Sequence, residues 1–171
     1  MSDVTTRSPS TATVTVRAVP WDAPVASALR DEFVAEMGVR YADLLADHPE
    51  LEDGPPDIDP ARIVHTVVAE VDGLVAGHAA LLDVGHDWEV KRVYTRPEAR
   101  RRGVSQALLA ALEQYAREQG RERLVLGTGP LQTEAIALYA REGWTRIPGF
   151  GPEAFHDFGL YFEKPLGRSG R

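Results

Sequence analysis

Along this chain the spacing of hydrophobic positions changes from strand-like to helical and back, and those changes mark out its elements. Val14, Val16 and Val19 suggest a short first strand. Val25, Leu29, Phe33 and Met37 then recur every four residues, the stripe of an amphipathic helix that Asp22 is placed to cap. A second short helix is expected around Tyr41 to Leu45. The segment from His48 to Pro60, with four prolines and several acids, reads as a loop.

From His65 the runs become strand-like. Val67 to Val71, the pair Asp72-Gly73, and Leu74 to Leu82 together predict a hairpin closed by a type I′ turn. Another strand, Trp88 to Thr95, follows after the turn residues Gly85 to Asp87. A helix from Val104 to about Gln119 places Val104, Leu108, Leu112 and Tyr115 on one face and stops at Gly120. Arg123 to Leu126 is a short buried strand, Thr133 to Glu142 a helix ending before Gly143, and Trp144–Ile147 and Leu160–Glu163 close the series. Strand, loop, helix, strand in that order implies one parallel pair. The fold class expected is α/β: a single domain over residues 14–166, with a mixed, mostly antiparallel sheet of six or seven strands and about four helices. Residues 1–13 and 167–171 are expected to be flexible tails.

Composition narrows the chemistry. The 171 residues include no cysteine, which removes a disulfide framework, a thiolate nucleophile and Cys-ligated zinc. No apolar run is long enough for a membrane-spanning helix, and the first residues lack the basic and apolar segments of a secretory signal, so a cytoplasmic protein away from membranes is expected. The net charge is −7, yet Lys91, Arg92, Arg96, Arg100, Arg101 and Arg102 face one acid, Glu98, in the same window. That window is +5 and the remainder −12. A cationic island on an anionic chain, with no aromatics interleaved among the arginines, fits a small anionic ligand better than nucleic acid.

The island lies where the strand Trp88–Thr95 passes into the helix at Val104. The first turn of a helix carries N–H groups without intrahelical partners and the positive end of the macrodipole, so it suits a phosphate. Neither G-x-x-x-x-G-K-[ST] nor a strand-following G-x-G-x-x-G occurs, which disfavours nucleotide hydrolysis and dinucleotide binding. A pyrophosphate on some other cofactor remains.

The run from Glu89 to Leu109 resembles the acetyl-CoA-binding segment of the GNAT N-acetyltransferase superfamily, whose signature of Arg or Gln, two residues, Gly, one residue, then Gly or Ala falls on Arg100, Gly103 and Ser105. A second family segment, Asn-x-x-Ala-x-x-Leu-Tyr followed by Gly and an aromatic, is similar to Gln132 through Tyr139 with Gly143-Trp144; Gln132 stands for the usual Asn and Ser105 for the last small residue. The resemblance implies a sheet with two splayed parallel strands that hold acetyl-CoA between them. The backbone of Val93 and Thr95 would pair with its pantetheine arm, the amides of Arg101, Arg102, Gly103, Val104, Ser105 and Gln106 would hold its pyrophosphate, and Arg100 and Gln132 would add contacts. It also implies Tyr139 as the general acid to the departing thiolate. Glu89, on the strand leading to the loop, is the first candidate for a general base through one water, with Asp87 and His86 in reserve.

The function expected is therefore acetyl transfer from acetyl-CoA to a primary amine of a small molecule or peptide by direct attack in a ternary complex, since no acetyl-cysteine can form. The alternative is a non-catalytic acyl-CoA-binding or sensing module on the same fold. His65 and His78 read as core or rim residues, and His86, Asp87 and Asp83 as turn chemistry rather than a metal site. The loops His48–Pro60, with Glu50, Glu52, Asp53 and Asp57, and Pro148–Phe158 are expected near the acceptor. A homodimer is a further expectation of the family.

Overall fold

Seven strands in the order β1-β2-β3-β4-β5-β7-β6 make one sheet in which only β4 and β5 run parallel. The computed structural model describes residues 12–51, 57–150 and 159–167. In chain order the elements are β1 (Val14–Ala18), α1 (Pro24–Asp47), β2 (Ile63–Val71), β3 (Leu74–Asp83), β4 (Trp88–Thr95), α2 (Val104–Glu118), β5 (Arg123–Thr128), α3 (Thr133–Arg141), β6 (Thr145–Ile147) and β7 (Leu160–Pro165). Single 3₁₀ turns at Pro60–Arg62 and Pro97–Ala99 precede β2 and α2.

Local chemistry accounts for most of these bounds. Asp72 and Gly73 both take positive φ, 51° and 82°, the type I′ geometry that joins β2 to β3. The helix α1 is not capped by Asp22: Ala23 occupies the cap without a side-chain bond, and Pro24 starts the first turn with its φ already suitable. Tyr41 to Leu45 is no separate helix but the last turns of α1, because the only breaker before it, Gly38, costs about 1 kcal/mol, too little to end a packed helix. The described residues accordingly hold three α-helices rather than about four. Just before β1, Thr13 is tied to the hairpin turn: the Asp72 amide donates to Thr13 O at 3.0 Å, and the Thr13 amide donates to Asp72 Oδ1 at 3.0 Å.

The two faces of the sheet are covered separately. Val67, Ala69, Ala79, Leu81, Trp88 and Val90 turn toward Val104, Leu108 and Leu112 of α2 in the main core. On the opposite face Val68 and Tyr94 pack with Ala26, Leu29, Phe33 and Met37, the predicted stripe of α1 shifted by one residue at its start. Leu124, Val125 and Leu126 of β5 are buried on both faces, as a central parallel strand requires.

Candidate functional site

The register of β4 and β5 ends almost as soon as it begins. Only Trp88↔Leu124 and Glu89↔Val125 are paired. Beyond them β4 stays with β3 as far as Thr95, and β5 stays with β7 as far as Thr128, so the two parallel strands part into a wedge. Arg123 pins the closed end, donating to both oxygens of Asp87 at 2.9 and 2.8 Å and to Glu163 of β7. Asp87, held below the usual carboxylate range by this guanidinium, clamps the start of β4 to β5.

Backbone alternation decides what the wedge offers. The Arg96 amide donates to Ala76 O on β3 at 2.8 Å, so two-residue alternation turns the amides of Thr95 and Val93 the other way, into the wedge. The strand then runs into a loop where Arg101 and Gly103 take positive φ, 64° and 78°. No side chain caps α2, and its first backbone bond runs from Ala107 to Gly103 O. The amides of Val104, Ser105 and Gln106 therefore lack helical acceptors and gather at the wide end of the wedge as an anion-binding concavity. A hydroxyl pair, Thr95 Oγ1 and Ser105 Oγ at 2.8 Å, ties strand end to first helical turn.

The cationic island is mostly spent on the protein itself. Lys91 pairs with Glu89 at 2.7 Å, Arg96 with Glu32 at 2.8 Å and Arg100 with Glu36 at 2.7 Å. Arg100 also donates to Thr95 O at 3.1 Å, so its guanidinium staples the loop to α1 instead of reaching outward. Arg101 and Arg102 are exposed and make no ion pair among the described residues. The positive charge left at the surface of this loop thus resides on these two arginines and the helix N-terminus.

Tyr139 of α3 is 5% exposed, packed edge-on to Trp144 at 5.9 Å and against Phe162 at 5.7 Å between ring centroids. Burial pushes its phenol well above the usual range, so it stays protonated at neutral pH. Gln132 caps α3 without a side-chain bond. Glu89 is 6% exposed on β4 with Lys91 on one oxygen. His86 is exposed beside Asp87 at 3.5 Å, and Asp83 accepts from the Gly85 amide at 2.8 Å, which is turn chemistry. Of the expected acceptor loops, residues 52–56 and 151–158 lie outside the described residues; Glu50 meets His48 at 3.0 Å.

Two features had no counterpart in the sequence reading. One is a ladder on α1: Glu36 also accepts from Arg40 at 2.9 Å, and Arg40 pairs with Glu134 in the first turn of α3. The other is a kink in β4 at Arg92, whose φ is +54°. His78, wholly buried as expected, has both ring nitrogens engaged at this kink.

A model of the acetyltransferase (GNAT) family matches residues 26–144. A protein of Azospirillum brasilense named IAA acetyltransferase is 37% identical over 105 residues, 60% of this chain and 69% of its own length. A solved structure from Klebsiella pneumoniae, assigned as an acyl-CoA N-acyltransferase, superposes with a TM-score of 0.71 at 27% identity over 90% of this chain and 98% of that one. A Salmonella typhimurium structure described as an acetyltransferase with its cofactor acetyl-CoA covers 92% of this chain and 96% of its own with a TM-score of 0.57; at 18% identity the likeness is one of fold.

Proposed function

Because this chain belongs to the acetyltransferase (GNAT) family, we propose that it transfers the acetyl group of acetyl-CoA to a primary amine of a small molecule or peptide, by direct attack in a ternary complex. The observation that supports this best is the continuity of the wedge: outward amides at Val93 and Thr95 lead straight to a helix start with unpartnered amides and two uncommitted arginines. An extended thiol-bearing arm ending in a pyrophosphate has this shape. Acetyl-CoA supplies the activated acyl group; the chain's residues hold and orient it.

In this reading Val93 and Thr95 pair with the arm, and the amides from Arg101 through Gly103, Val104, Ser105 and Gln106, with the Arg101 and Arg102 guanidiniums, hold the pyrophosphate. Arg100 positions that loop, and Gln132 contributes a polar contact from α3. The amine nitrogen bonds to the acyl carbon as the carbon–sulfur bond breaks. Its excess proton passes through one water to Glu89, and Tyr139 meets the charge that develops on sulfur. An ordinary thiol has a pKa of about 8.5, below that of a buried phenol, so Tyr139 stabilises the thiolate first as a hydrogen-bond donor and only then by proton transfer.

Calorimetric titration with acetyl-CoA tests the reading, together with thiol release across an amine panel. Micromolar binding and amine-dependent release are expected. No binding at about 1 mM removes the proposal, and binding without release to any amine replaces it with a sensing module.

A further inference from the structure

We propose that Arg30 and Arg92 form an anion subsite on the α1 side of the wedge, selecting amine acceptors that also carry a carboxylate. This names the acceptor class of the acetyl-transfer reading and rests on it.

The strand β4 is built to place Arg92 there. Trp88 and Val90 face α2, so regular alternation would turn Arg92 into the same apolar core. The register against β3 instead jumps from Ala80↔Lys91 to His78↔Tyr94, and Arg92 takes a φ of +54°, a left-handed backbone that a non-glycine residue adopts only when its surroundings enforce it. The bulge returns Val93 to the core side and leaves Arg92 on the α1 side, its guanidinium carbon 5.4 Å from the Phe33 ring centroid.

A buried histidine fixes this arrangement and links it to a second cation. His78 Nδ1 donates to the bulged carbonyl, Arg92 O, at 2.9 Å, which makes Nε2 the acceptor for Arg30 Nη1 at 3.3 Å. Arg30 lies 3.5 Å over the Trp21 ring and donates to Trp21 O at 2.8 Å and Ser27 Oγ at 3.2 Å. None of these partners of Arg30 is a carboxylate. Both arginines are thus tied to one buried imidazole, Arg30 through its guanidinium and Arg92 through its carbonyl, and each guanidinium lies against an aromatic ring. Burial pushes both below the ordinary arginine range, and Arg30 adds to the depression of Arg92, while Asp57 and Glu89 partly offset it and Asp31 acts on Arg30.

Held rigidly and partly out of water, this pair gains from a further anion. The guanidinium fork suits a carboxylate, and the flanking rings suit an apolar side chain. Glu89, the candidate base, precedes Arg92 by three residues on the same strand and its side chain lies on the same side. An acceptor can therefore present its amine toward the wedge and its carboxylate toward Arg92 and Arg30. The acids that dominate the rest of the chain would draw the amine end, so the molecule selected is a zwitterion.

Thiol release from acetyl-CoA with phenylalanine, phenylalaninamide and phenethylamine tests this. The expected result is a kcat/KM at least about tenfold higher for phenylalanine than for either carboxylate-free partner. In Arg92→Gln and in Arg30→Lys, which keeps the charge but loses the fork, that ratio falls toward one. Equal or better use of phenethylamine by the unaltered protein overturns the subsite while leaving acetyl transfer intact. A ratio unchanged in both variants, with their thermal melts retained, overturns the assignment to these arginines. No release with any of these three, where other amines of the panel do release thiol, overturns the subsite alone, and no release with any amine of the panel defeats acetyl transfer and the subsite with it.

Discussion

Tyr139 illustrates how burial sets the chemistry a single side chain can perform. Its ring packs against those of Trp144 and Phe162, and burial keeps its phenol protonated across any working pH. Tyr139→Phe keeps the ring packing and removes the donor. We expect kcat to fall on the order of 10²-fold with acetyl-CoA affinity retained, as read by steady-state rates and calorimetry; an unchanged kcat would take the residue out of the reaction. For Glu89→Gln the pH–rate profile is the readout, and the acidic limb should disappear if Glu89 receives the amine proton through water. Gly77 on β3 shows a steric requirement of another kind. A Cβ there would lie 2.6 Å from Tyr94 O and 2.9 Å from a Val104 methyl, between the bulged strand and the first residue of α2. Gly77→Ala should therefore cost about 1–3 kcal/mol in denaturant unfolding and weaken acetyl-CoA binding as the helix start is displaced. Stability equal to the parent would mean that α2 shifts without strain.

Among the elements, α1 acts as a strut between α3 and the loop that precedes α2. Glu32, Glu36 and Arg40 recur every four residues on one of its faces and engage Arg96, Arg100 and Glu134 respectively. Such half-exposed pairs are each worth only about 0–1 kcal/mol. Their effect is on geometry: Arg100, stapled to Glu36 and to Thr95 O, holds the loop whose amides face the wedge. Glu36→Gln is expected to leave the melting temperature within about 2 °C while raising the acetyl-CoA KM several-fold with little change in kcat. If Arg100 were instead a phosphate ligand restrained by Glu36, the same substitution would lower that KM. The ladder was not legible beforehand, because its partners stand 64 to 94 residues apart and nothing in a helical period names a distant partner. The strand Trp88–Thr95 and the start of α2 at Val104 were legible, because Gly103 and the change of period mark them locally. The bulge lay between these cases. In Val90-Lys91-Arg92-Val93, strict alternation points an arginine into the core, and that conflict was itself the sign of an irregular strand.

The whole molecule carries the consequence of burying a histidine to hold that bulge. Burial pushes the His78 imidazole down to about 4 from an ordinary value near 6.5, and its Nε2 already accepts from Arg30, so protonation has no place to go in the folded state. A base whose folded pKa is depressed contributes fully above the unfolded value and loses that contribution as pH falls toward the folded one. Between pH 7 and pH 4.5 His78 alone should therefore remove about 2 kcal/mol of stability, and the half-buried His65, lowered by the same cause, acts in the same direction. Asp87 and Glu32 contribute little to this window. Their depressed carboxyls lose stabilisation mainly as pH falls below their ordinary values, 4.5 for Glu32 and 3.8 for Asp87, where Arg96 and Arg123 lose their anions. Denaturant unfolding at several pH values separates the two regimes. The parent should show a slope already between pH 6.5 and 4.5, whereas His78→Gln, less stable at pH 7, should show a much flatter one. A parent profile flat down to pH 4.5 would mean that the folded protein accepts a charged His78, and that the bulge at Arg92 is held by something other than this imidazole.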